Sequence, residues 1–118
     1  MPVLPVNGIR IGSTAAGIRY KGRDDLVVIE CQSGTSCAAV FTRNRFSAAP
    51  VQIAKKHLGQ VSPRALLINS GNANAGTGEQ GLLNATECCQ MLANSLGCEV
   101  SEILPYSTGV IGEQLPVQ

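Results

Sequence analysis

The chain has 118 residues, 44% of them hydrophobic and 14% charged, with a formal net charge of +1 at pH 7. A chain of this length can bury a modest core of its own, and the composition excludes an intrinsically disordered segment. Two Tyr, two Phe and no Trp, together with the near-zero charge, argue against a base-stacking nucleic-acid surface.

The opening, Pro2 to Gly17, is rich in Pro and Gly and is expected to run as extended or irregular chain. A turn at Gly22-Arg-Asp-Asp25 leads into a strand over Leu26–Cys31, and Ser33-Gly-Thr-Ser36 is the next turn. Cys37–Thr42 reads as a second strand, and the short connection predicts an antiparallel hairpin. Ala49–Leu58 mixes signals: Pro50 suits a helix start, while Val51 and Ile53 suit a strand. It is read as a strand to about Ile53 followed by a short helix. Ala65–Asn69 is a continuous apolar run of the kind buried on both faces. Gly78–Leu96 is the clearest helix, with Leu82, Ala85, Cys89, Leu92 and Leu96 recurring at steps of three and four. Thr77 is placed to cap it and Gly97 to stop it. Ser101–Tyr106 returns as a short strand or extended run that ends in Ser107–Gly112.

Cysteines fall at positions 31, 37, 88, 89 and 98. An odd count without a C-x-x-C pair points to free thiols in a reducing compartment, and the single His57 gives zinc no ligand set. Cys88 and Cys89 sit among apolar neighbours and read as small buried hydrophobes. The basic groupings Arg19-Tyr-Lys-Gly-Arg23, Arg43-Asn-Arg45 and Lys55-Lys56-His57 read as solvated faces. No apolar stretch approaches the ~20 residues that cross a bilayer, and the N-terminus has no signal-peptide pattern. The expected address is cytoplasmic. The polar, extended tail Glu113–Gln118 carries no helix stop signal, so the chain is expected to be a fragment or one chain of a cleaved protein.

The chemistry is expected where buried strands end in polar, glycine-rich loops: Asn69–Gly78 and Ser107–Gly112. Gly76-Thr-Gly-Glu-Gln-Gly81 matches the G-x-G-x-x-G dinucleotide fingerprint. That fingerprint needs its first glycine at the end of the strand, and Ser70 to Ala75 intervene. A glycine loop entering a helix is the better reading, with a nucleotide-binding module as the alternative. Ser107-Thr108-Gly109 offers hydroxyl donors and an unobstructed backbone N–H, the parts of an oxyanion hole. No nucleophile and base pair can be named inside the chain: His57 has no Ser or Cys partner by spacing, and neither Cys37 nor Cys88 has an activating context.

Taken together, Gly8-Ile-Arg-Ile-Gly12, Thr14–Ile18, Gly22–Leu26, Ala39–Asn44, Ala48–Val51, Ile68–Gly78 and Ser107–Gly112 resemble the glutamate N-acetyltransferase, or ornithine acetyltransferase, family of arginine biosynthesis. The resemblance spans essentially the whole chain. It implies an α/β (α+β) fold, a layered α/β/β/α-type sandwich with mixed sheets, of which residues 1–118 are an incomplete N-terminal portion of the α chain. It implies a precursor that cleaves itself before a Thr, which becomes the first residue and nucleophile of a β chain, its own α-amino group serving as base. Two α and two β chains would assemble together. The acetyl group of N2-acetylornithine would pass to that Thr and then to glutamate. No bound cofactor is implied, although some members also take acetyl-CoA as a co-substrate. Residue by residue, the family's oxyanion hole falls on Thr108 and Gly109, and the nucleophile lies outside this chain. Asn69–Asn74 is expected to wall the site beside that pair. The alternative reading is a self-processing amidohydrolase or aminopeptidase of related fold, which would release the acyl group to water.

Overall fold

A computed structural model describes residues 4–118; positions 1–3, where the expected irregular opening begins, lie outside the described residues. Four strands form one sheet in the order β1-β2-β3-β4: Ile9–Thr14, Leu26–Cys31, Ala65–Asn72 and Ile103–Val110. β1 and β3 flank β2 antiparallel, whereas β4 runs parallel to β3. Parallel neighbours need a crossover of a dozen or more residues. The 19-residue helix α2, Gly78–Leu96, supplies it, followed by a 3-10 turn at Val100–Glu102.

The sheet departs from the sequence expectation at two points, for one reason. Cys37–Thr42 is not a strand, and the hairpin it was expected to make with Leu26–Cys31 does not form. Both edges of β2 are occupied, one by β1 and the other by β3, so the segment cannot pair with β2. Val40 is almost wholly exposed. The missing partner comes instead from the supposedly irregular opening, in which Ile9, Ile11 and Thr14 pair with Cys31, Ile29 and Leu26.

The remaining correction concerns Ala49–Leu58, which is helical throughout and forms α1. As a helix it buries Ala49, Ile53, Ala54 and His57 on one stripe, with Pro50 tolerated in the first turn. Burial along that stripe outweighs the strand preference of Val51 and Ile53, because propensity is weaker than tertiary packing. His57 is part of the core: its Nδ1–H donates to the Ile103 carbonyl at 2.7 Å.

α1 and α2 lie on the sheet around Ala49, Ile53, Ala65, Ala85, Cys89 and Ile103, with Val28 and Leu67 of the sheet packed against this cluster. By strand alternation the other face carries Ile11, Val27, Ile29, Leu66, Ile68 and Tyr106. Helix α2 has the bounds its periodicity predicts, and Gly97 stops it in the left-handed conformation. Thr77 stands at the N-cap but makes no side-chain capping bond; its hydroxyl donates to Asn74 Oδ1 at 2.8 Å instead.

Candidate functional site

The two polar strand ends meet because β3 and β4 are parallel. Their register sets Asn69 beside Ser107, Ser70 beside Thr108 and Gly71 beside Gly109, and it then slips at Asn72, which faces both Thr108 and Val110. Such a bulge re-aims the residues around it. Gly109 has φ +131° and Gly71 φ +105°. A Cβ on Gly109 would stand 2.4 Å from the Gly71 carbonyl carbon and 2.7 Å from the Asn72 nitrogen. Only glycine permits so close an approach. Thr108 and Gly109 are both exposed, so a hydroxyl and a glycine backbone sit together at an accessible strand end.

Asparagines fix this end from below. Asn69, Asn72, Asn74 and Asn84 are buried, and among the described residues no buried side-chain polar atom lacks a partner. Asn69 Nδ2 donates to the Asn72 carbonyl at 2.8 Å, and the Ser107 hydroxyl donates to Asn69 Oδ1. Asn72 Nδ2 donates to the carbonyls of Glu113 and Gln114, which ties the chain leaving β4 back onto β3. The expectation that Asn72 stands beside Thr108 and Gly109 agrees with the register. Asn74 is differently employed. It is fully buried at φ 47°, takes the Thr77 hydroxyl, and donates through Nδ2 to the Gly81 carbonyl at 2.8 Å. Its side chain therefore anchors the loop to α2.

That anchoring accounts locally for the G-x-G-x-x-G spacing. Gly76 and Gly78 have left-handed φ in the turn. At Gly81 a Cβ would fall 1.9 Å from Thr77 Oγ1 and 2.6 Å from Asn74 Oδ1. β3 ends at Asn72 and α2 begins at Gly78, so the first glycine does not close the strand as the dinucleotide fingerprint requires.

A second support is Asp25, which the sequence reading treated only as part of a turn. Its carboxylate accepts the backbone N–H of Ala16 at 2.6 Å and of Ile18 at 2.7 Å, and its carbonyl accepts the Ser70 N–H at 2.8 Å. Burial by itself pushes the carboxyl up, but the bonds from Ala16 and Ile18 more than offset this and hold it below the ordinary value. The loop so held places Ile18 and Arg19 against Gly71. Arg19 pairs with Glu113 at 3.1 Å. A useful sequence signal is the likeness of Asn-Ser-Gly71 and Ser-Thr-Gly109, two small polar runs that each place a glycine one residue before the strand's end.

An apolar cleft of about 400 Å³ opens between the sheet and α2, lined by Ile18, Val28, Leu67, Met91, Leu92 and Leu115. Asn69 and Ser107 reach it, whereas Thr108 and Gly109 do not. The cleft is therefore a neighbour of the strand-end pair. Cys88 is the thiol that lines the cleft, and desolvation, with Glu87 adding to it, pushes it above its ordinary value, away from the thiolate; Cys89 is buried, and desolvation, with Cys88 adding to it, pushes its thiol up to about 12. Among the described residues no group of three or more His, Cys, Asp or Glu is placed to hold a metal ion. No described helix is long and apolar enough to cross a membrane.

One mixed sheet, a helical layer and paired glycine strand ends define an α/β protein whose accessible small-residue site lies at the carboxyl ends of two parallel strands. The sequence pattern of the ArgJ family matches residues 10–118, and the chain belongs to that family. It is 54% identical over 113 residues to the arginine biosynthesis bifunctional protein ArgJ of Methylococcus capsulatus, covering 96% of this chain and 28% of that protein. To the protein of the same name from Pseudomonas syringae pv. tomato it is 54% identical over 119 residues, covering 100% of this chain and 29% of the relative. The chain thus spans under a third of the length of these relatives. Its fold is that of two crystal structures. The arginine biosynthesis bifunctional protein ArgJ of Bacillus halodurans superposes with a TM-score of 0.88 at 34% identity, over 94% of this chain and 58% of the other. Ornithine acetyltransferase of Mycobacterium tuberculosis, complexed with ornithine, superposes with a TM-score of 0.82 at 35% identity, over 94% and 61%.

Proposed function

We propose that residues 1–118 are the N-terminal portion of the α chain of an acetyltransferase in arginine biosynthesis. It moves the acetyl group of N2-acetylornithine to glutamate through an acetyl-threonine on a β chain cut from the same precursor. The observation that carries this reading is the exposed Thr108–Gly109 pair, held by a contact with Gly71 that only glycine allows. Membership of the ArgJ family and likeness to an ornithine acetyltransferase crystallised with ornithine support the same chemistry.

In this reading the Thr108 hydroxyl and the Gly109 N–H donate to the oxygen that becomes negative when the β-chain Thr attacks the acetyl carbonyl. Donors fixed before the reaction stabilise that charge without reorganising. The tetrahedral intermediate then collapses and ornithine leaves; the amine of glutamate attacks the acetyl-threonine, forming a second oxyanion held by the same two donors, and its collapse releases the Thr hydroxyl and N-acetylglutamate. The enzyme is cytoplasmic, assembles as α2β2, and needs no bound cofactor; acetyl-CoA is an additional donor to be assayed beside N2-acetylornithine.

The test is Thr108→Ala in the complete enzyme. A ~100- to 1000-fold fall in kcat for transfer to glutamate is expected, with KM little changed. Full activity would overturn the assignment. Acetate released to water in preference to transfer would replace it with the amidohydrolase reading.

A further inference from the structure

Bonds at the two ends of β4 fix the direction in which each of its residues turns its backbone groups. The Arg64 N–H donates to the Glu102 carbonyl at 2.7 Å, whereas the next carbonyl, of Ile103, turns away from β3 and takes His57 Nδ1–H. At the far end the Ala73 N–H donates to the Val110 carbonyl at 2.9 Å. Successive residues of a strand point their N–H and C=O groups to opposite edges. Glu102 and Val110 are an even number of residues apart, so the even-numbered residues face β3 and the odd-numbered ones, Gly109 included, face away. The register agrees: Asn72 pairs with both Thr108 and Val110, which leaves Gly109 between two laddered neighbours. The Gly109 N–H therefore points out of the sheet, at an exposed residue.

That phase depends on Asn72. The β3–β4 register shifts at this residue, and a slip of one residue would exchange the inward and outward sets. Its side chain engages both ends of its amide. Oδ1 accepts the Asn74 N–H at 2.8 Å, and Nδ2 donates to the Glu113 and Gln114 carbonyls at 3.0 and 3.2 Å. One amide thus grips the chain leaving β3 and the chain leaving β4. The Asn72 carbonyl takes Asn69 Nδ2 as well. Asn72 is only 4% exposed, so water does not stand in for these bonds. An Asp would present acceptors alone to two carbonyls, and an Ala would present nothing.

We infer that Asn72 is a positioning residue: it sets the phase of the β3–β4 bulge so that the Gly109 N–H is aimed at the reacting carbonyl oxygen. The inference rests on the oxyanion role proposed for Thr108 and Gly109. Being buried, Asn72 acts through Gly109 and not on the substrate.

Asn72→Ala in the complete enzyme tests this, with Thr108→Ala and Ile53→Val beside it. A misaimed donor costs about 10- to 100-fold, so kcat for acetyl transfer should fall by that factor while KM stays within about twofold. Ile53 lies in the core under α1, and Ile53→Val should lower the thermal midpoint without changing kcat, which separates lost stability from lost aim. Asn72→Ser, which keeps one hydroxyl, takes the place of Asn72→Ala if the latter yields no folded enzyme. On the unaltered enzyme, hydrogen exchange resolved to single amides should find Gly109 fast and Val110 slow, and the Asn72 variant should erase the contrast. An unchanged kcat, a raised KM without a fall in kcat, or a protected Gly109 amide beside a freely exchanging Val110 would each overturn the inference. Full activity of Thr108→Ala would instead remove the oxyanion reading itself. An impaired Thr108→Ala beside a fully active Asn72 variant sinks the positioning role alone.

Discussion

Replacing Gly109 by Ala tests the geometry on which the candidate site depends. The added Cβ would meet the Gly71 carbonyl carbon at 2.4 Å and Gly71 Cα at 2.8 Å, where ordinary contact begins near 3.4 Å, an overlap of about 1 Å against backbone. Side chains can turn away from such a clash, but a paired strand cannot. Overpacking of this kind costs ~1–3 kcal/mol, and forcing a non-glycine residue to φ +131° costs a further ~1–3 kcal/mol. The expected destabilisation of ~2–6 kcal/mol is large against a typical domain stability of ~5–15 kcal/mol. Two glycines calibrate the measurement. At Gly12 a Cβ meets nothing within 4 Å and φ is not positive, so Gly12→Ala should change stability by less than ~0.5 kcal/mol. Gly78 is also open but sits at φ +61°, so Gly78→Ala should cost ~1 kcal/mol. Urea and thermal unfolding of the three variants of the complete enzyme, with acetyl transfer assayed in parallel, give the ranking. If Gly109→Ala were as stable as Gly12→Ala, the close approach of β4 to β3 at the bulge would be wrong. The placement of Thr108 derived from it would then fall too.

Two further predictions concern the supports of that strand end. Asn74→Ala removes the acceptor of the Thr77 hydroxyl and the donor to the Gly81 carbonyl at a fully buried position. A loss of ~2–4 kcal/mol by urea unfolding is expected, since buried unpartnered groups cost ~1–3 kcal/mol each; a loss below ~0.5 kcal/mol would contradict the anchoring role. Asp25 has a carboxyl held below its ordinary value of 3.8. Its contribution is therefore complete above about pH 4 and is lost as pH falls through the lower folded value. Asp25→Asn also turns an NH2 group toward one of the two N–H donors. The variant should be less stable at neutral pH, with a shallower decline on acidification; parallel acid limbs in pH-dependent unfolding would refute this.

Much of the local structure was legible because the signals were local. Helix α2 carries its own apolar stripe and a stopping glycine, and β3 is a buried run long enough to declare itself. β1 was missed because its pairing energy comes from β2, a segment distant in sequence, while Gly12 and its exposed side chains conceal the alternation. Cys37–Thr42 was misread for the converse reason, since the expected hairpin needs a free edge of β2 and β1 and β3 occupy both. His57 and Asp25 were undervalued because their partners, Ile103 and the 16–18 loop, are brought to them only by the fold.

The sequence alone was sufficient to place the chain in its family and to single out Ser107–Gly109 and Asn69–Gly78 as the polar strand ends, since residue type and order carry that information. The tertiary structure decided that the two strand ends lie side by side, that Gly71 and Gly109 abut, and that Asn72 clamps the chain leaving β4. Those are consequences of parallel register and helix placement. Both arise from long-range backbone pairing and burial, which no window of neighbouring residues contains.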